Sequence, residues 1–297
     1  MFRAATAMLC VLASLAMVAR AQEAPTPQTV RVGDITVQML TDAHFNLPLS
    51  LLAGIDHSEA VKLNGGKDSA WTPDNAYLVR MPGRTVLVDA GFGSMAGPVG
   101  GHLTEELKKA GVDPASIDLV LITHFHTDHI GGLLTPEGKR AFPKAIVRAS
   151  REESDYWLGD TAAMPANVRS SAAKARAILE VYRQASAFRP FSPNENLGDG
   201  IQAISAHGHT PGHTAYSFTS KGQTLWCIGD LIHYGRVQFA HPEAGVIFDY
   251  DRPAAIAIRE ALFLRAAEEH VSVAGAHLPE VVRLERQGSG FGTKPAD

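Results

Sequence analysis

The sequence predicts an α/β protein in which two β-sheets pack face to face and helices cover the outer faces. Two observations predict this architecture. The first half of the chain runs from strands of alternating apolar and polar residues into helices, and the second half repeats that order. The 297 residues also contain no internal repeat of the amino-acid sequence, no linker and no low-complexity tract. We therefore expect one domain over residues 29–297.

Two long valine-rich segments begin the predicted fold. Thr29–Leu47 and Asn75–Asp89 alternate apolar and polar residues, as half-buried antiparallel strands do. Turns are predicted within them at Gly33-Asp34 and Pro82-Gly83, where glycine favours a reversal of the chain. The apolar run Ile117–Thr123 then predicts a buried strand.

Helices alternate with shorter strands through the rest of the chain. The predicted helices are His102–Ala110, Ser150–Leu158, Pro165–Ala185 and Arg252–His270. The remaining predicted strands are Ala145–Ala149, Ile201–Ala206, Ala215–Ser220, Thr224–Gly229 and Val271–Ala274. The segments rich in histidine and aspartate follow predicted strands, so we expect them to meet at one edge of the two sheets.

The N-terminus has the pattern of an export signal. Arg3 provides a positive start, Thr6–Val18 is apolar, and small residues precede a cleavage point after Ala21. The apolar run is too short to span a membrane. We therefore expect a signal over residues 1–21, a flexible leader over 22–28, and a secreted, periplasmic protein without a membrane anchor after cleavage.

The charge balance argues against a nucleic-acid substrate. The formal net charge is −4, and it becomes −6 once the predicted signal removes Arg3 and Arg20, since that segment holds no acidic residue. Binding to phosphate backbones requires a basic surface. We therefore expect a small-molecule partner and no nucleic acid.

The most informative motif follows the predicted strand Ile117–Thr123. It is His124-Phe125-His126-Thr127-Asp128-His129, which places four metal-binding side chains within six residues. In an extended backbone His124 and His126 point to the same side. Asp128 and His129 lie past the bend and can turn toward a second cation. Imidazoles and a carboxylate suit zinc or a similar metal.

Three later segments have the same chemistry. A glycine-rich turn ends on His213, a strand ends on Asp230, and a helix-strand unit ends on His277. His207 and His209 lie in or beside the same turn as His213, so both remain alternatives to it as a metal ligand.

The ordered set of motifs resembles the metallo-β-lactamase superfamily. The matching residues are Asp89, His124, His126, Asp128, His129, His213, Asp230 and His277. The resemblance implies an αββα sandwich of two mixed β-sheets flanked by helices, which agrees with the fold predicted from the residues. It also implies two divalent metal ions, most simply zinc.

The resemblance further implies a role for each matching residue. One ion would be bound by His124, His126 and His213. The other would be bound by Asp128, His129 and His277. Asp230 would bridge both ions, and Asp89 would orient a ligand without binding metal. The implied reaction is hydrolysis by a hydroxide held between the ions, with Asp128 and Asp230 as the catalytic carboxylates.

Nearly the whole chain resembles one branch of the superfamily, which contains methyl parathion hydrolases and dihydrocoumarin-hydrolysing lactonases. Trp157 matches an aromatic residue of the substrate pocket in that branch. His233 replaces an aliphatic residue, and Phe248 is bulkier than its counterpart. Such a pocket suits a flat lactone or aryl ester better than a tetrahedral phosphotriester.

Three expectations about function follow. The favoured one is a metal-dependent hydrolase of lactones and aryl esters, with promiscuous organophosphate activity. The first alternative is an organophosphate triester hydrolase, and the alternative from another class is a non-enzymatic periplasmic metal-binding protein. Members of this branch are often dimers, so the resemblance also implies a homodimer.

Overall fold

A computed structural model describes residues 28–162 and 164–296 of the chain. The predicted export signal, and the predicted leader up to residue 27, lie outside the described residues. Within the described part, no helix is both long enough and apolar enough to span a bilayer.

Short strands and helices alternate along the chain, as the sequence predicts. The strands are β1 Thr29–Val32, β2 Ile35–Pro48, β3 Leu52–Ala53, β4 Ser69–Met81, β5 Arg84–Val88, β6 Leu119–Leu121, β7 Ile146–Arg148, β8 Asn196–Gly198, β9 Ile201–Ser205, β10 Thr214–Ser220, β11 Gln223–Cys227, β12 Gly245–Val246, β13 Ser272–Ala274, β14 Val282–Gln287 and β15 Gly290–Pro295. The α-helices are α1 His57–Leu63, α2 Leu103–Lys109, α3 Thr127–Ile130, α4 Arg151–Leu158, α5 Ala166–Gln184, α6 Gly235–Gln238 and α7 Arg252–Glu268.

The strands form two large sheets and one small one. The first sheet has the order β1-β2-β4-β5-β6-β7, antiparallel as far as β5 and parallel from β5 to β7. The second has the order β15-β14-β13-β11-β10-β9-β8, in which only β11 and β13 are parallel. Strands β3 and β12 pair separately. Both large sheets are therefore mixed.

Side-chain alternation along the strands explains why the two sheets stack. Val86 and Val88 of β5 face the second sheet and pack in one apolar core with Phe218 of β10. Leu87, between them, faces the opposite side and packs in a separate core with Leu179 of α5. Burial of each such side chain stabilises the fold by about 1.5–3 kcal/mol.

The outer face of the second sheet is covered by α7. Trp226 of β11 and Phe263 of α7 are both buried in a third core. The order of layers is therefore helices, first sheet, second sheet and helix. This confirms the predicted αββα sandwich.

The structure contains a C-terminal hairpin that the sequence interpretation does not include. Val282 and Leu284 of β14 are buried while Arg283 and Glu285 are exposed, which is the alternation of an antiparallel strand with one buried face. Strand β14 pairs with β13 on one side and β15 on the other. Only two residues of β14 are apolar and buried, and the others are charged or polar. The sequence therefore gives only a weak indication of a strand there.

Two tyrosines join the sheets close to the ends of the parallel strands. The Tyr77 hydroxyl donates to the carbonyl of Gly275 at 2.9 Å. The Tyr216 hydroxyl donates to the carbonyl of Ile122 at 2.6 Å. Both acceptors lie directly past a parallel strand. The loops after β5, β6, β11 and β13 therefore come together at one edge of the sandwich, as predicted.

Candidate metal centre

Three imidazoles and one carboxylate converge at this edge. His124, His126, His209 and Asp230, here called the first group, offer ligand atoms that all lie within 4.8 Å of one another. The Nδ1 atom of His126 lies 2.9 Å from Nε2 of His124 and 3.1 Å from Nε2 of His209. Nitrogen atoms that face one another in this way are arranged to share one cation.

A second set of ligand atoms lies beside the first. Asp128, His129, Asp230 and His277, here called the second group, also lie within 4.8 Å of one another. The Nε2 atom of His129 lies 3.6 Å from Oδ2 of Asp128 and 3.2 Å from Oδ1 of Asp230. The Nε2 atom of His277 lies 3.2 Å from Oδ2 of Asp230.

Asp230 belongs to both groups, and its surroundings test whether cations fit there. Among the described residues, Oδ1 of Asp230 and Nε2 of His129 are buried and lie 3.2 Å apart, but neither atom makes a hydrogen bond of normal geometry. A buried polar atom without a partner destabilises a protein by about 1–3 kcal/mol. Two divalent cations would satisfy both atoms, so the residues fit a dinuclear site.

The histidines are oriented by hydrogen bonds through their other ring nitrogen. Nδ1 of His129 lies 2.9 Å from the Asp89 carboxylate, and Nδ1 of His209 lies 3.0 Å from the Asp249 carboxylate. Nδ1 of His277 donates to the carbonyl of Pro73 at 2.8 Å. Each contact directs the Nε2 lone pair into the centre, which is how proteins orient metal-binding histidines.

The structure places His209 in the first group, whereas the resemblance assigns His213 to that ion, so His213 as a ligand stays a prediction. Nδ1 of His213 donates to the carbonyl of Ala206 at 3.0 Å, which fixes the tautomer. Its Nε2 accepts a hydrogen bond of 3.0 Å from the backbone N–H of Asp230. Both ring nitrogens of His213 are thus occupied. His213 contacts the Asp230 loop through Nε2, whereas Nε2 of His209 lies 3.1 Å from Nδ1 of His126 and 3.4 Å from Oδ2 of Asp230.

Asp89 lies behind His129, where the resemblance places it. It is one of the few non-glycine residues with a left-handed backbone, at φ 60°. Such a conformation costs on the order of 1–3 kcal/mol. The Asp89 carboxylate accepts from the backbone N–H of Thr123 at 2.8 Å and from the Thr123 hydroxyl at 2.9 Å, in addition to contacting His129. These contacts hold the strained residue in place.

Glycine is required where the Asp230 loop crosses this network. Gly229 has φ 50°, and a Cβ atom there would lie 2.7 Å from Nε2 of His213 and 2.9 Å from Cβ of Thr123. These close contacts explain why glycine stands between Ile228 and Asp230. Only a residue without a side chain lets the Asp230 carboxylate reach the centre.

Charge is distributed unevenly between the two groups. Burial lowers the pKa of His124 well below its usual value and that of His126 to about 3. Burial also acts against His277, but Asp230 beside it raises the pKa of His277 to about 9. The metal-free second group therefore keeps a protonated imidazole next to Asp230, at a position where positive charge is stabilised.

The predicted pocket residues all border the centre, at different depths. Trp157 is buried, and its ring lies 5.5 Å from that of His126. His233 is buried, with Nε2 3.2 Å from Oδ2 of Asp230. Phe248 is 40% exposed and lies edge-on to His209 and His233. Trp157 and Phe248 therefore flank the first group on two sides.

A cavity adjoins the second group. Its volume is about 410 Å³, which is within the range of small-molecule sites. The lining includes His233, His277, Asn46, Trp71, Tyr234 and Arg236. Of the three predicted pocket residues, only His233 lines it.

Sequence reasoning missed two carboxylates that act on the site. Asp249 orients His209, and Glu153 accepts hydrogen bonds from the segments that carry His126 and His209. Asp249 is 40 residues away from its partner in the chain. No local pattern marks either carboxylate, because each is an ordinary acidic residue in a helix or loop until the chain folds.

The chain is similar to a known protein family and to several known proteins. Residues 70–277 match the model of the metallo-beta-lactamase superfamily. An uncharacterized protein from Bacillus subtilis (strain 168), YobT, is 24% identical over 218 residues, which are 67% of this chain and 88% of YobT. For three other curated relatives the match spans 24% to 49% of their length.

Two solved structures are similar over almost the whole chain. One is the hydrolase AbOPH of the beta-lactamase superfamily, with a TM-score of 0.86 and 27% identity, covering 93% of this chain and 98% of that chain. The other is AidC, a dizinc quorum-quenching lactonase, with a TM-score of 0.85 and 25% identity, covering 92% and 98%. The family match spans more than half of the sequence, and the chain belongs to the metallo-beta-lactamase superfamily.

Proposed function

We propose that this protein is a dinuclear-metal hydrolase that opens lactones and cleaves aryl esters. The observation that carries the proposal is the position of Asp230, whose carboxylate belongs to both groups of ligand atoms. A metal-binding protein without catalysis needs neither a shared carboxylate nor a cavity beside it. Similarity to a dizinc lactonase over 92% of the chain supports the same class of reaction.

We propose that the first group binds one divalent ion, the second group binds another, and zinc is the metal. When bound, the two ions would supply a water of lowered pKa and a Lewis acid for the substrate carbonyl. The side chain of Asp128 is 20% exposed and that of Asp230 is 2% exposed. Asp128 can therefore accept a hydrogen bond from the attacking water and direct it, while Asp230 holds the two groups together.

His233 contributes a neutral wall to the site. Burial lowers the pKa of His233 to about 4, so its imidazole carries no proton charge at pH 7. It cannot serve as a charged acid for the leaving group in that state. Its ring is stacked on His277, with centroids 5.0 Å apart. His233 therefore narrows the space beside the second group.

Apolar side chains at the mouth of the site favour apolar esters. Ile247, Phe248 and Tyr250 are 54%, 40% and 61% exposed. Phe248 reaches the imidazoles of the centre, and Tyr250 packs on Tyr156, which is next to Trp157 in the chain. An aromatic or alkyl substituent bound here would bury these apolar surfaces. Such burial would stabilise the complex by about 25 cal/mol per Å² of apolar area.

The test is a paired assay of the zinc-loaded protein with dihydrocoumarin and methyl parathion. We expect kcat/KM to be higher for the lactone, and hydrolysis to disappear in Asp230→Ala. A much higher kcat/KM for the triester would make the protein an organophosphate hydrolase instead. Two bound ions without hydrolysis of either compound would favour a non-enzymatic metal-binding role.

We further propose that the mature protein is secreted to the periplasm after cleavage near Ala21 and acts as a homodimer on small molecules, not on nucleic acid or membranes. N-terminal sequencing of protein from the periplasmic fraction tests the cleavage. Light scattering of the same sample tests the dimer. A retained N-terminus or a monomeric mass would reject the respective expectation.

A further inference from the structure

A buried glutamate on α4 lies directly behind the first group. Glu153 is fully buried, and its carboxylate accepts three hydrogen bonds. Oε1 accepts from the backbone N–H of Phe125 at 2.8 Å. Oε2 accepts from the Thr210 hydroxyl at 2.8 Å and from the backbone N–H of Gly212 at 2.9 Å.

These partners belong to the two segments that carry the imidazoles of the first group. Phe125 lies between His124 and His126, on the loop that follows β6 in the first sheet. Thr210 directly follows His209, on the turn between β9 and β10 of the second sheet. One carboxylate therefore connects two loops that come from different sheets and are more than 80 residues apart in the chain.

The packing around Glu153 leaves no room for adjustment. A Cβ atom on Gly212 would lie 2.0 Å from the backbone nitrogen of Glu153. The turn thus rests on the backbone of α4. The same helix carries Trp157, which packs on His126.

We propose that Glu153 is a positioning residue that sets the spacing between the His124–His126 segment and His209, and so determines metal affinity at the first group. The inference rests on the dinuclear site proposed above, but not on the identity of the substrate. Removal of such outer contacts typically weakens metal binding by about 10–100-fold.

The chemistry of the partners requires a carboxylate. The two backbone N–H groups can only donate, and a carboxylate offers acceptors on both oxygens. A glutamine would have to direct its amide NH₂ toward at least one of these donors. Burial raises the pKa of Glu153, and the hydrogen bonds from Phe125, Thr210 and Gly212 oppose that shift. Glu153→Gln therefore changes hydrogen bonding while it keeps nearly the same shape.

The experiment measures zinc affinity of the full chain by competition with a chromophoric chelator. The background is His277→Ala, which weakens the second group so that the remaining ion reports on the first group. Glu153→Gln is compared with Glu152→Gln, an exposed neighbour on the same helix. A second pair, Thr210→Val and Thr210→Ser, removes and retains the hydroxyl donor. Circular dichroism of the metal-free variants confirms folding.

We expect Glu153→Gln to lower zinc affinity by about 10–100-fold. Thr210→Val should lower zinc affinity by a smaller factor. Thr210→Ser and Glu152→Gln should both have the zinc affinity of the background protein. Wild-type affinity in folded Glu153→Gln would overturn the proposal. If Glu153→Gln does not fold, the Thr210 pair decides, and equal affinity of Val and Ser would also overturn it. Failure of the substrate assays would not affect this result, because the readout is metal affinity.

Discussion

Two histidines four residues apart in one turn differ in what their ring nitrogens contact. His209 directs Nε2 toward His126 and donates through Nδ1 to Asp249. His213 uses both nitrogens on the backbone, at Ala206 and Asp230. The first arrangement leaves a lone pair for a cation, whereas the second stabilises the loop that carries Asp230.

These contacts predict opposite effects of two substitutions. His209→Ala should reduce the metal content from two ions to about one and lower kcat/KM by at least about 100-fold, because a ligand of the first group is lost. His213→Ala should keep two ions but lower the free energy of unfolding by about 1–3 kcal/mol, since the Asp230 N–H loses its acceptor. Elemental analysis and urea unfolding measure both. The reverse pattern would identify His213 as the ligand, as the resemblance implies.

His233 predicts a change in substrate preference. His233→Leu replaces a polar ring beside Asp230 with a smaller apolar side chain, which makes room for a tetrahedral triester. The ratio of kcat/KM for methyl parathion to that for dihydrocoumarin should rise on the order of tenfold, as expected for a pocket that changes by about one small group. His57→Leu makes the same exchange at an exposed histidine that does not line the cavity, and serves as the control. An unchanged ratio would remove His233 as a determinant of specificity.

At the scale of elements, the loops after parallel strands were predictable because their signal is local. The strand β6 and the histidines after it form one continuous pattern, and Asp230 and His277 each close an apolar strand. Local sequence does not separate His209 from His213 in the 208–214 turn, because both histidines stand in the same Gly-His-Thr pattern. The contact of His209 with Asp249 spans 40 residues, and such a contact has no local pattern.

The close packing of α4 against the 208–214 turn predicts that a side chain at Gly212 would destabilise the protein. Gly212→Ala places a Cβ atom 2.0 Å from the backbone of Glu153, where neither segment has a flexible side chain to move. Overpacking of this kind typically costs about 1–3 kcal/mol. Zinc affinity should fall as well, because the turn carries His209. Gly292→Ala is the control, because Gly292, like Gly212, has no positive φ and its added Cβ would meet only the flexible end of the Gln287 side chain. Equal destabilisation by both substitutions would contradict the steric explanation.

At the scale of the molecule, each group of ligand atoms draws on both sheets. The loops after β6 supply His124 to His129, and the second sheet supplies His209, Asp230 and His277. Each ion would therefore join the two halves of the sandwich. The sequence predicted both sheets from alternation, but their relative position depends on these contacts across the edge.

Removal of metal should therefore destabilise the whole fold. An ion at about 1,000 times its dissociation constant contributes about 4 kcal/mol to the free energy of unfolding. For a protein of this size that corresponds to a Tm shift of roughly 10 °C. Thermal unfolding before and after treatment with a chelator measures the shift, and zinc added back should restore the Tm. An unchanged Tm would show that the sheets do not depend on the ions.

Metal loading should also reverse the pH dependence of stability. In the metal-free protein the pKa of His277 is raised to about 9, compared with about 6.5 in the unfolded chain. A raised pKa stabilises the fold fully below pH 6.5, and the contribution is lost as pH rises through 9. The contribution of His277 to the stability of the metal-free protein should therefore fall by on the order of 3 kcal/mol across this window. His129 acts in the same direction, because neighbouring carboxylates raise its pKa despite burial. With zinc bound, His277 carries no extra proton in the folded state, so that loss disappears. Stability falls instead as acid protonates the ligands below pH 6.5.

Urea unfolding of both forms at pH 6.5 and 9 measures the difference in stability. The titration of buried Cys227 cancels in this difference because it is common to both forms. Parallel pH profiles of the two forms would show that His277 does not exchange its proton for the metal.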